Sequence, residues 1–159
     1  MKTLFVLSDT HGNTAAVRAL KEIMAESDYI VHLGDFARDI EPVKAQYPQK
    51  TVSVNGNCDF ASVNEEAFFE AEGRKILAVH GHRFGVKSDL TRLYFYAKER
   101  GADIVLYGHT HRAAEEERNG VLFVNPGSLA KRETEKSYAY LVLQSGKAFC
   151  KIVPVAEKI

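Results

Sequence analysis

The 159-residue chain has no tryptophan, two cysteines, four prolines and no excess of either charge. Its cysteines, Cys58 and Cys150, cannot build a disulfide framework and do not form a C-x-x-C pair. Twenty-one basic and twenty-one acidic residues cancel. No global positive field exists to hold long nucleic acid or an anionic membrane, so an anionic ligand must be held by a local site. Apolar runs are short: residues 4–7 lead straight into Asp9, too soon for a signal peptide, and none reaches the length of a membrane span. These absences predict a cytoplasmic protein. With 45% hydrophobic and 26% charged residues, disordered and fibrous classes are excluded, and the length predicts a single domain over residues 1–159.

Short apolar runs alternate with helical patterns. Residues 4–7 read as a buried strand, followed by a helix capped by Asn13 or Thr14, with Ala16, Val17, Leu20, Ile23 and Met24 at helical spacing. Strands at 29–33 and 51–54 flank a short helix near 39–46, a β-α-β-α-β opening that predicts a parallel sheet. A hairpin of 66–71 and 75–79, a helix over 89–100 stopped by Gly101, strands at 104–107 and 121–124, and a closing hairpin of 138–143 and 148–153 complete the reading. The run Glu115-Glu116-Glu117 reads as a solvated turn.

The information lies where the strands end. Successive strands run into polar, glycine-containing loops that carry Asp9, His11, Asp35, Asn57, His80, His109 and His111. Ligands of open α/β sheets bind at such carboxyl ends. Each residue alone has a structural explanation: Asp9 as a helix cap, Asp35 and Asn57 as turn formers, a histidine as a satisfied polar group. Independent capping does not place oxygen and imidazole donors at one strand end after another. Gly12, Gly34, Gly56, Gly81 and Gly108 are expected to let the backbone turn beside each donor. Carboxylate oxygen with neutral imidazole suits manganese first, with nickel, iron, zinc or cobalt as alternatives. So many donors exceed the needs of one tetrahedral ion and match two divalent metal ions sharing a carboxylate, an arrangement suited to phosphoryl displacement.

At Asp9-Thr10-His11, Gly34-Asp35, Gly56-Asn57, Val79-His80-Gly81-His82 and Gly108-His109-Thr110-His111 the chain resembles the calcineurin-like metallophosphoesterases. Its Asn125-Pro126-Gly127-Ser128 element is similar to that of their small YfcE-type phosphodiesterases. The resemblance implies a four-layer αββα sandwich. It implies one metal held by Asp9, His11 and His111, another by Asn57, His80 and His109, and Asp35 as the bridge. It also implies in-line attack on phosphorus by a hydroxide between the ions. Asp35, Asn57 and His82 are the candidate catalytic residues. Cys58 stands where many members carry a histidine that protonates the leaving oxygen. A thiol is the poorer proton donor, so diesters with good leaving groups are the expected preference.

Other residues carry weaker expectations. Asn13 orients its loop and caps a helix, and His32 is a satisfied core histidine. His82 binds substrate phosphate or supports His80. Arg83 and Arg132 stand near site loops, where a guanidinium can hold phosphate. Residues 125–128 close the site floor. Residues 93–96 place one face in the core and offer the other to an oligomer contact or a substrate wall. The leading reading is a dimetal phosphodiesterase acting on a small phosphodiester, with a homo-oligomer as an open possibility. A phosphomonoesterase with the same metals is the alternative. A non-catalytic protein-binding scaffold, the case that the retromer subunit of this fold resembles, is the third; the intact ligand set argues against it.

Overall fold

The computed structural model describes residues 1–60, 64–156 and 158–159. Strand β1 (Lys2–Leu7) is followed by helices α1 (Thr14–Ala19) and α2 (Lys21–Glu26), then β2 (Tyr29–His32), a 3-10 turn (Ala37–Ile40) leading into α3 (Glu41–Gln46), and β3 (Thr51–Ser53). Next come the hairpin β4 (Glu66–Ala71) and β5 (Arg74–Val79), a 3-10 turn (His82–Phe84), α4 (Thr91–Arg100) and β6 (Ile104–Leu106). Two further hairpins follow: β7 (Ala114–Arg118) with β8 (Val121–Asn125), and β9 (Lys136–Gln144) with β10 (Lys147–Val155).

The strands form two mixed sheets, ordered β10-β9-β1-β2-β3 and β4-β5-β6-β8-β7. Alternation along each strand explains the layering. Leu4 and Val6 of β1 face the second sheet, joined there by Ile76, Ala78, Ile104 and Leu106. Phe5 and Leu7 point the other way, onto Ala16, Val17, Leu20 and Met24 of the first helices and Val43 of α3. Leu77 and Val105 turn outward onto Leu93 and Ala97 of α4. With both faces of each sheet covered, the strands read as unbroken apolar runs rather than alternating ones. The expected four-layer αββα sandwich is thereby observed.

Each sheet contains three adjacent parallel strands: β1, β2 and β3, with β3 at the edge, in one, and β5, β6 and β8, flanked by β4 and β7, in the other. Their carboxyl ends carry the polar loops singled out above.

Two local expectations are corrected. The helix expected after Asn13 is interrupted at Leu20 (φ −97°, ψ 6°), although the apolar stripe continues through Met24. Glu115, Glu116 and Glu117 are not a turn; they lie in β7, at the sheet edge, paired with Val124, Phe123 and Leu122. Their side chains are nevertheless exposed, and charge along an edge strand opposes pairing with another chain. Among the described residues, no helix is long and apolar enough to cross a membrane.

Asn13 caps α1, accepting from the Ala16 N–H at 3.2 Å, and donates to the carbonyls of Leu129 and Ile159. His32 is fully buried. Its Nδ1 accepts from the Gly34 N–H at 3.1 Å, which leaves Nε2–H to donate to Thr10 Oγ1 at 3.0 Å. Burial lowers its pKa to about 4 from an ordinary 6.5. Between those values the unfolded chain takes up the proton and the folded chain does not. Stability is therefore complete above pH 6.5 and falls as the pH drops towards 4, by about 3 kcal/mol for this group. Urea unfolding of wild type and His32→Asn at pH 7 and pH 4.5 should show the smaller pH dependence in the variant.

Candidate metal centre

The loops after β1, β2, β5 and β6 meet at one edge of the sandwich. Nine non-glycine residues among those described have positive φ. Three, Glu72, Asn119 and Ser145, each precede a glycine in the two-residue connections of the hairpins, where paired positive φ values suit the strand twist. The other six are Asp9 (52°), His11 (43°), Asp35 (60°), Phe36 (66°), His109 (71°) and His111 (61°). Sparsely populated backbone costs about 1–3 kcal/mol per residue and persists where the surroundings over-determine it. Here, at all but Phe36, it aims donor side chains inward.

Asp9 is fully buried. Its Oδ2 is occupied by the Ser8 hydroxyl and by the His109 N–H at 3.1 Å. Its Oδ1 therefore faces the site, 3.1 Å from His111 Nε2, 3.8 Å from His11 Nε2 and 3.9 Å from His80 Nε2. Asp35 spans the centre: Oδ2 lies 3.5 Å from His11 Nε2, and Oδ1 lies 3.5 Å from His80 Nε2. Ligand atoms of Asp9, His11, Asp35 and His111 fall within 4.8 Å of one another, and so do those of Asp35, His80 and His109. Asp35 belongs to both groups.

Backbone and carboxylate partners fix the imidazole tautomers. His80 Nδ1 lies 2.8 Å from the Leu33 carbonyl, which can only accept, so Nδ1 carries the proton and Nε2 turns a lone pair inward, 3.2 Å from His109 Nδ1. His111 Nδ1 donates to Glu133 Oε1 at 2.7 Å, and Nε2 turns to Asp9. Orientation of a ligating imidazole by such a partner is the recurrent support of metal sites. Burial alone would raise the Asp9 carboxyl pKa, but His11, His111, His80 and the Ser8 hydroxyl hold it well below the carboxylate range. The Asp9 carboxylate beside it raises His111, against burial and together with Glu133. Burial, then His80, lowers His82 and His109.

These residues fit divalent cations. Asp9 Oδ1 and His11 Nε2 are buried without a hydrogen-bond partner among the described residues, at the point where lone pairs and carboxylate charge converge. Leaving such groups unsatisfied costs about 1–3 kcal/mol each. A cation relieves that cost.

His82 brings its ring to 5.4 Å from His80 and 6.1 Å from His109, with Nδ1 buried and unpartnered among the described residues. Asn57 is exposed; its Nδ2 lies 3.6 Å from Cys58 Sγ rather than on the cluster. The Cys58 N–H donates to Asp35 Oδ1 at 2.9 Å, and burial, then Asp35, raises the thiol pKa. Arg83 is exposed and paired with Glu65, and Arg132 lies 3.7 Å from Glu133. The floor is built as expected: Asn125 donates to Gly108 O and Thr110 Oγ1, and Ser128 to Asp9 O. Residues 93–96 divide into buried Leu93, half-buried Tyr94 and Tyr96, and exposed Phe95.

One expectation about glycine is corrected. Gly12, Gly34 and Gly81 do have positive φ, but Gly56 and Gly108 do not. Those two are needed for clearance. A Cβ on Gly108 would stand 2.2 Å from Ser8 Oγ and 2.8 Å from Asp9 Oδ2, and one on Gly56 would stand 2.2 Å from Asp35 Oδ1.

Three supporting carboxylates were not singled out in the sequence. Asp39 accepts from Thr10 Oγ1 and the Gly12 N–H. Asp59 accepts from the N–H groups of Asp35, Gly56 and Ala37, tying the loops after β2 and β3 together. Glu133 orients His111. Of these, only Asp59, beside Gly56-Asn57-Cys58, carried a positional signal. Glu133→Gln should weaken divalent-metal affinity by about 10- to 100-fold while leaving the fold intact. Titration calorimetry against circular dichroism measures both.

Residues 1–147 match the family model described as calcineurin-like phosphoesterase superfamily domain. The chain is 38% identical over 152 residues to the probable metallophosphoesterase YsnB of Bacillus subtilis, covering 91% of this chain and 86% of the relative. It is 28% identical over 155 residues to the phosphodiesterase YfcE of Escherichia coli, covering 82% and 80%. The crystal structure of a predicted phosphoesterase from Streptococcus pneumoniae matches with a TM-score of 0.81 at 28% identity, covering 96% of this chain and 89% of that one. Vps29 from Entamoeba histolytica shares the fold, with a TM-score of 0.76 at 21% identity over 97% of this chain and 99% of its own.

Proposed function

The chain belongs to the calcineurin-like phosphoesterase superfamily, and from that premise we propose that this metal-dependent phosphoesterase is a two-metal phosphodiesterase. The observation that carries the reading is the position of Asp35, one carboxylate oxygen facing His11 and the other facing His80. Asp9, His11 and His111 would hold one cation, His80 and His109 with Asn57 the other, and Asp35 would serve both. Two divalent ions bound there supply an activated water nucleophile and neutralise the phosphoryl oxygens. Manganese is the first candidate, given the mixed carboxylate and imidazole donors.

The protein's own residues do the rest. Asp9 is anchored through Oδ2, so Oδ1 keeps one direction. Leu33 O and Glu133 hold His80 and His111 in the tautomer that presents a lone pair. His82, its basicity lowered by burial, offers a neutral imidazole beside His80 and His109, suited to hydrogen bonding with a phosphoryl oxygen. Cys58 remains a neutral thiol, consistent with a preference for ester oxygens that leave without protonation. Arg83 is exposed and paired with Glu65, so part of its charge is already met before the second charge of a monoester could reach it. This supports a small diester as substrate.

A phosphomonoesterase is the second reading, favoured by a hollow of about 450 Å³ beside Thr110 whose lining includes Lys87 and Arg112. Hydrolysis of bis-p-nitrophenyl phosphate and p-nitrophenyl phosphate by metal-stripped protein, before and after manganese, separates the two. Manganese-dependent turnover favouring the diester is expected, with calorimetry giving two ions per chain. Turnover favouring the monoester selects the second reading. No turnover with manganese, nickel or zinc overturns catalysis in favour of a protein-binding scaffold.

A further inference from the structure

We propose that the hollow beside Asp35 is a specificity pocket that takes a flat aromatic substituent of the ester, held between Phe36 and Phe60. The inference rests on the phosphodiesterase reading and adds the substrate class. The cavity has a volume of about 350 Å³, and its walls include Phe36, Ala37, Arg38, Cys58 and Phe60. That volume is at the lower end of ligand pockets, which run from roughly 300 to 1,000 Å³.

The pocket adjoins the metal centre through Cys58 and Phe36. Cys58, in its wall, donates its N–H to Asp35 Oδ1. The Phe36 ring lies 5.4 Å from the His11 ring. A group in this pocket is therefore a neighbour of any phosphorus held at Asp35.

Its surface is mainly apolar, although Glu41 and Asn55 also line it, and the one carboxylate nearest the loop backbone, Asp59, is already engaged. Asp59 turns Oδ2 onto the N–H groups of Asp35 and Gly56 and Oδ1 onto that of Ala37. The Arg38 guanidinium lies 4.5 Å from the centroid of the Phe36 ring. Cys58 contributes its sulfur-bearing side chain. Recognition here is by ring faces and polarisable surface, which favour stacking of a planar group over hydrogen-bond readout.

Phe60 supplies the second observation. Its side chain is 100% exposed, so it contributes no burial to the fold, yet it lines this cavity. A planar group entering the hollow would cover that ring and bury apolar surface on both.

The test is binding to the manganese-loaded full chain, measured by calorimetry with phenylphosphonate and methylphosphonate. Both present the same anion to the metal centre and differ in the ring alone. Wild type should bind phenylphosphonate about tenfold more tightly. Phe60→Ala should reduce that preference to twofold or less with methylphosphonate affinity unchanged, and Phe60→Tyr should retain it. Equal affinity for the two ligands in wild type, or a preference that survives Phe60→Ala, overturns the pocket while leaving the phosphodiesterase standing. A ring preference that depends on Phe60 in a protein that hydrolyses no diester upholds the pocket and removes the diesterase. Binding of neither phosphonate removes the pocket.

Discussion

Asp35→Asn is expected to lower metal-dependent diester hydrolysis by about a thousandfold or more, equivalent to about 4 kcal/mol of transition-state stabilisation. The substitution keeps the side chain's size and removes its charge. One of the two directions served by Asp35, towards His11 and towards His80, then meets an amide NH2 instead of an oxygen. An NH2 group cannot ligate a cation, so the stoichiometry of manganese binding should fall below that of wild type. Without metal the variant should melt within a few degrees of wild type, because the cluster carries unrelieved negative charge and lone pairs. Turnover above a tenth of wild type would exclude Asp35 as the shared ligand.

Gly56→Ala should be nearly as damaging, for a different reason. The added methyl would sit 2.2 Å from Asp35 Oδ1 and 2.6 Å from Asp35 N. Both atoms are held in place: Oδ1 accepts from the Cys58 N–H at 2.9 Å, and Asp35 N donates to Asp59 Oδ2 at 2.9 Å. Overpacking of this kind costs about 1–3 kcal/mol. Because the displaced atoms include the shared carboxylate, hydrolysis should also drop by about a hundredfold, in line with the sensitivity of reacting geometry to shifts of about 1 Å. Gly73→Ala is the contrasting control. Gly73 has positive φ but nothing within 4 Å of an added Cβ, so strain alone is introduced and activity should be preserved. Urea unfolding and turnover on the same preparations distinguish the two effects.

The donor set was legible because its residues follow strands whose apolar runs are unambiguous. Asp9, His11, Asp35, His80, His109 and His111 are each tied to a strand end, and the sheet order brings those ends together. Glu133 was not legible. It lies 22 positions beyond His111, in a connection without periodicity, and meets it through tertiary folding alone. Asn57 was read on its spacing, but its local geometry turns its amide to Cys58, a rotamer that sequence does not encode. The acidic run at 115–117 was misread because charge reports exposure, and an edge strand exposes its side chains as a turn does. Gly56 and Gly108 show the same limit: a glycine reserved for clearance and one reserved for a left-handed turn are spelled alike.

The left-handed backbone at the donor residues sets function against durability. His109, at φ 71°, and His11, at φ 43°, occupy conformations that glycine tolerates without penalty. Each holds its place for chemistry at a cost in folding free energy. Drift that replaces such a donor with glycine gives up ligation and relaxes the chain at the same step. Metal-free His109→Gly should therefore unfold no more readily than wild type, the relieved strain offsetting the added freedom of the unfolded glycine. Regaining the reaction requires the strained conformations to be imposed afresh, one loop at a time.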